Sequence, residues 1–127
     1  MTRWLILLTI GAGLAAAQSQ VAGTWLGHFN RVPAVRVTLV EQAGKLSGTV
    51  LFYLIKHKPD GSEGRVVGDS GAIELRKVVL NKRNRVTFEI TGSNGKPKLF
   101  EMETVGAKEA SLRESGSGAE GMRMVRE

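Results

Sequence analysis

The chain predicts an all-β domain, a single antiparallel meander of about eight strands curled into a closed or nearly closed β-barrel. Three observations predict it: apolar and polar residues alternate in short segments, glycine-rich or charged turns separate those segments, and no longer stretch holds a helical period. A sandwich of two sheets is the rival arrangement for the same strand pattern.

The first segment precedes the fold. Met1-Thr2-Arg3 is cationic, Trp4 to Leu14 is apolar, and Ala15-Ala16-Ala17 is a small-residue cleavage site, the pattern of a secretory signal over 1–17. A helix from Trp4 to Ala17 rises only about 21 Å, short of the roughly 30 Å of a hydrocarbon core. No cysteine follows the run to take a lipid. The expectation is a barrel domain over 18–127 in a secreted or periplasmic protein, with no transmembrane segment after processing.

The first strand is expected from Val21 to Phe29, where Val21, Trp25 and Phe29 share a face with Gly23 and Gly27, and His28 lies opposite. Ala34 to Gln42 follows with Val35, Val37 and Leu39 inward, and Ala43-Gly44-Lys45 folds it onto Leu46 to Lys56. Within that arm Val50 to Ile55 is apolar on both faces, whereas a half-exposed strand alternates. Leu51, Tyr53 and Ile55 are either the partly exposed outer face of a central strand or are covered, by the chain itself, by a ligand or by a second copy in a homodimer. The connection His57 to Gly71 contains the turn Pro59-Asp60-Gly61 and a short strand at Arg65-Val66-Val67.

Ala72 to Leu80 and Arg85 to Thr91 form a second hairpin around Asn81-Lys82-Arg83-Asn84, with Val86, Phe88 and Ile90 inward. Ser93-Asn94-Gly95 turns the chain into Pro97 to Val105, with Phe100 and Met102 on one side and Glu101 and Glu103 on the other. Glu109 to Glu114 and Gly121 to Arg126 supply the last strands, joined by a connector from Ser115 to Gly121 that is flexible by composition.

Composition bounds the chemistry. Of the 127 residues, about 110 remain after the signal, enough for one domain. The formal net charge is +6, and loss of Arg3 leaves one positive charge fewer, +5. That balance reads first as a solubilising surface, and otherwise suits acidic partners or anionic envelope components. Nucleic acid is not expected, because the basic hairpin tips lack aromatics to stack on bases. With no cysteine, disulfides, thiolate metal sites and redox chemistry are excluded, and His28 and His57 are the only imidazoles. No metal or cofactor is expected.

Three motifs resemble sites and read better as turns. Gly68-Asp69-Ser70-Gly71 reproduces the tetrad around a protease serine, without the length or the activating His-Asp pair such an enzyme needs. Gly116 to Gly121 matches G-x-G-x-x-G, but no helix can follow to receive a pyrophosphate. His57 with Asp60 and Glu63 reads as a solvated turn rather than a metal site. No catalytic residue is assigned, and the chain is read as non-enzymatic.

Gly23-Thr24-Trp25 resembles the G-x-W signature that opens lipocalins and related calycin barrels, and Leu46-Ser47-Gly48-Thr49 adds a resemblance to the first strands of avidin-type barrels. The resemblance implies that Trp25, with Gly23, closes the barrel against a late arginine. Arg113, Arg123 and Arg126 are available, and Arg123 is taken for the closure set. A biotin site is not implied, because Trp25 is the only tryptophan after processing.

Alternation directs Val35, Leu39, Val50, Phe52, Phe88, Ile90, Phe100 and Met102 to the barrel interior. A barrel of this size is either filled by side chains or holds one small ligand. The first expectation is an exported barrel binding a small apolar or amphipathic ligand among those eight residues. The alternative is a protein-interaction module of the envelope or secreted space, like the small periplasmic metalloprotease inhibitors that share an early G-x-W. A packed interior would favour the alternative and move function to the loops.

Overall fold

The computed structural model describes residues 20–60, 64–81, 84–92, 94–116 and 121–127. The segment over 1–17 expected to be a signal, Glu63, the Lys82-Arg83 tip and most of the connector before Gly121 lie outside the described residues.

The fold is all-β. Its strands are β1 (Gly23–Phe29), β2 (Val32–Gln42), β3 (Lys45–His57), β4 (Gly64–Asp69), β5 (Ile73–Glu74), β6 (Arg76–Asn81), β7 (Arg85–Thr91), β8 (Pro97–Thr104), β9 (Glu109–Glu114) and β10 (Met122–Arg126). They form one antiparallel sheet, not two, in the order β4-β3-β2-β1-β10-β9-β8-β7-β6. The first strand thus meets the last: Trp25 lies opposite Arg126 and Gly27 opposite Met124.

Instead of a closed barrel, the sheet is strongly curled and open. Its two edges are joined by the chain rather than by a ladder. The segment expected as one strand, Ala72 to Leu80, breaks at Leu75: β5 pairs with β3, β6 pairs with β7, and the Leu75 N–H donates to the Gly48 carbonyl at 3.0 Å. Lys77 has φ of +50°, and the β6–β7 register shifts between Arg76 and Val79. This bulge turns the chain from one edge to the other before a continuous β3–β6 ladder can form.

The core fills the curl. Trp25, Val37, Val86, Met102 and Met124 are fully buried, and Val35, Leu39, Val50, Phe88, Ile90 and Ala110 nearly so. Gly48 is fixed by close approach, because a Cβ there would sit 1.9 Å from the Thr38 carbonyl oxygen, a main-chain atom that cannot yield.

Phe29 departs from the expected alternation. The β1–β2 register shifts between Gly27 and His28, so the residue expected to share the face of Trp25 is 51% exposed. The β2–β3 ladder ends at the pair Val35–Phe52, and beyond it β3 continues with β4 as a two-stranded ribbon. Leu54 lies on that ribbon and is exposed, although it keeps the phase of Val50 and Phe52.

Candidate functional site

The eight residues expected to line a ligand cavity are brought together, but with one another. Val35, Leu39, Val50, Phe88, Ile90 and Met102 are buried in a single cluster, and Phe52 and Phe100 pack against it. Phe100 stacks on Phe88 with ring centroids 5.9 Å apart and lies 6.4 Å from Phe52. These ring contacts tie the two faces of the cluster together.

At the start of β1 the molecule is closed by Trp25 and Arg126. The Trp25 indole N–H donates to the Val21 carbonyl at 2.9 Å, and the Arg126 guanidinium lies 4.3 Å from the centre of its ring. The same guanidinium donates to the carbonyls of Ala107 at 2.9 Å, Ala22 at 2.7 Å and Gln20. The closure arginine is therefore Arg126, not Arg123. Strand alternation decides it: Arg126 keeps the phase of buried Met124, whereas Arg123 points outward to pair with Glu109 at 2.5 Å. Gly23 has φ of +133° and lies against Arg126, with a Cβ placed there 3.0 Å from Nη1. A concavity of about 650 Å³ beside Arg126 also includes Asn84 and Thr104, which are bonded to each other. Its polar groups serve the fold.

The outer wall of β7 to β10 is a lattice of ion pairs. Arg85 reaches Glu101 at 3.2 Å and Glu103 at 2.9 Å, and Arg113 reaches Glu101 at 3.2 Å. The hydrogen bond with Glu103, and then the charge of Glu101, raise the Arg85 pKa above its ordinary value; the bond with Glu109 does the same for Arg123. On the opposite wall Leu51, Tyr53 and Ile55 face outward and are half-buried. The Arg36 guanidinium lies 5.9 Å from the Tyr53 ring and pairs with Glu127 at 3.0 Å, and Gly64 packs on Ile55.

The far end of β1 is different. The turn after Phe29 places Asn30 and Arg31 at φ of +49° and +67°, and the Phe29 ring meets His57 edge-on at 6.3 Å. On the β3–β4 ribbon Leu54, Val66 and Val67 are exposed at 54%, 41% and 54%. Lys56 and Arg65 are directly opposite across the β3–β4 ladder. With His57, Lys58, Pro59 and Gly64 they line a concavity of about 300 Å³. Alternation alone could not find this rim, because it depends on the ribbon running past the end of β2.

The tempting motifs are accounted for locally. Ser70 Oγ accepts the Phe52 N–H at 3.0 Å and donates to the Gly71 carbonyl at 2.8 Å, while Asp69 Oδ1 accepts the Gly71 N–H at 2.8 Å. Both side chains hold a turn. Among the described residues no group of three metal-ligating side chains occurs, and no helix is long and apolar enough to cross a membrane. No family model matches the chain, and neither a curated protein nor a solved structure is similar to it.

Proposed function

We propose that this protein is an exported, non-enzymatic binding module with a calycin-like architecture, and that it engages a protein partner at the rim formed by the β1–β2 turn and the β3–β4 ribbon. The observation that carries the reading is the disposition of apolar side chains. The eight interior candidates make one cluster, while Phe29 at the end of β1 and Leu54, Val66 and Val67 on the neighbouring β3–β4 ribbon are exposed. Exposed apolar residues beside polar groups are typical of interaction surfaces. The Trp25–Arg126 stack supports the calycin resemblance, since it joins the first strand to the last as that resemblance implies.

Native mass spectrometry of the protein purified from its own host tests the reading. The expected result is a bare monomer mass, accompanied by a protein complex that Phe29→Ser with Leu54→Ser removes. A retained small apolar molecule would return function to the interior. A dimer unaffected by the rim variant but lost with Leu51→Thr and Ile55→Thr would move it to the outer wall.

A further inference from the structure

We infer that the rim takes an acidic, extended segment of its partner, added as a further strand along the outer edge of β4 with its carboxylates over Lys56 and Arg65; the inference rests on the reading of the rim as a protein-docking surface. The backbone supplies the first reason. The hydrogen-bonded path ends at β4, so along Gly64–Asp69 alternate N–H and C=O groups point away from β3. An extended peptide satisfies such groups by main-chain pairing, and side-chain complementarity then sets its identity.

Charge supplies the second. Like charges directly opposite in a ladder repel, yet Lys56 faces Arg65, and among the described residues neither has an ion-pair partner. On the β7–β10 wall, by contrast, Arg85, Arg113 and Arg123 each meet a carboxylate. The His57 ring beside the two cations is held in place. It lies against Gly64, where a Cβ would come within 3.0 Å of its Cε1 and Nδ1, and it meets Phe29 at its edge.

The same features choose among occupants. An uncharged strand would have to desolvate both cations without compensation. A carboxylate-bearing strand removes the repulsion. Charged edges and bulges ordinarily prevent strand addition, and here they become selective, excluding neutral and basic strands while admitting acidic ones.

The experiment uses the purified full chain and two ten-residue peptides, one alternating Glu and Val and the other alternating Lys and Val, followed by amide hydrogen exchange and NMR. The expected result is slowed exchange within Gly64–Asp69 and shifts at Lys56 and Arg65 with the acidic peptide only, weakening as salt rises. Arg65→Glu should cut that affinity at least tenfold without lowering the thermal midpoint, because it places an opposite charge across from Lys56. Three outcomes overturn the inference: no protection of β4 by the acidic peptide, equal binding to Arg65→Glu, or binding to phosphatidylglycerol vesicles with no peptide protection. If the native complex is still lost on Phe29→Ser with Leu54→Ser while the acidic peptide leaves β4 unprotected, the strand-addition inference falls and the rim reading stands. If the native complex survives both the rim and the Arg65→Glu variants, the rim reading falls with it.

Discussion

The two ends of β1 are built from the same materials and do opposite things. At its start an aromatic ring and an arginine, Trp25 and Arg126, satisfy each other and are wrapped by backbone carbonyls. At its end Phe29 is 51% exposed and meets the His57 ring of β3 at its edge, and Arg65 on β4 has no ion-pair partner among the described residues. Both ends are stocked with groups that bind strongly when desolvated. Only one has spent them on the fold. A cation and an aromatic therefore indicate function less by their presence than by whether the chain has already completed their contacts.

The widest gap between the ends should appear on truncating the buried ring. Trp25→Ala should cost about 3–5 kcal/mol, the usual range for a buried large aromatic, against a total of about 5–15 kcal/mol. A urea unfolding curve reads it directly, and a cost under about 1 kcal/mol would mean that the first end is not closed as described.

Arg126→Lys sharpens the comparison by keeping the charge and removing the plane. It should cost about 1–3 kcal/mol, because an ammonium cannot both stack on Trp25 and reach three carbonyls. An unchanged denaturation midpoint would show that charge alone closes this end.

At the rim the sign should reverse. Arg65→Glu converts a repelling cross-strand pair into an attracting one and should stabilise by roughly 0.2–1 kcal/mol, measured as a raised midpoint that falls back at high salt. Destabilisation would mean that Arg65 already holds the ribbon together. The smallest effect belongs to Phe29→Ser, within about 0.5 kcal/mol of wild type, although it should weaken the native complex. A cost comparable to that of Trp25→Ala would erase the distinction between the two ends.

How much of this was legible in the sequence depended on whether period two was uninterrupted. β7 and β9 begin and end where alternation and turns place them, and the inward sets of β2, β7 and β8 are buried as a face. The misses sit at irregularities. A register shift between Gly27 and His28, with Ala34 the extra residue on β2, lies just before exposed Phe29, and the break at Leu75 opens the barrel. Neither has a residue signature strong enough to announce it, because both arise from how neighbouring strands fit. The closure arginine was legible: Met122, Met124 and Arg126 share a phase, and that points to Arg126 rather than Arg123. Whether the interior is packed or hollow was not, since period two gives the direction of a side chain and says nothing about the volume it must fill.

The bonds from Arg126 also fix an order of events in folding. They join residues 104 and 106 positions apart, whereas β2–β3, β7–β8 and β8–β9 are neighbours along the chain. Loops that long cost entropy before any contact repays it, so hairpins form early and the β1–β10 seam joins last. Until that moment β1 has one neighbour and an open flank. The seam is thus the latch of the molecule, the last ladder to form in refolding and the first to part under denaturant, and the rate of opening should respond to Arg126 far more than to any residue of the rim.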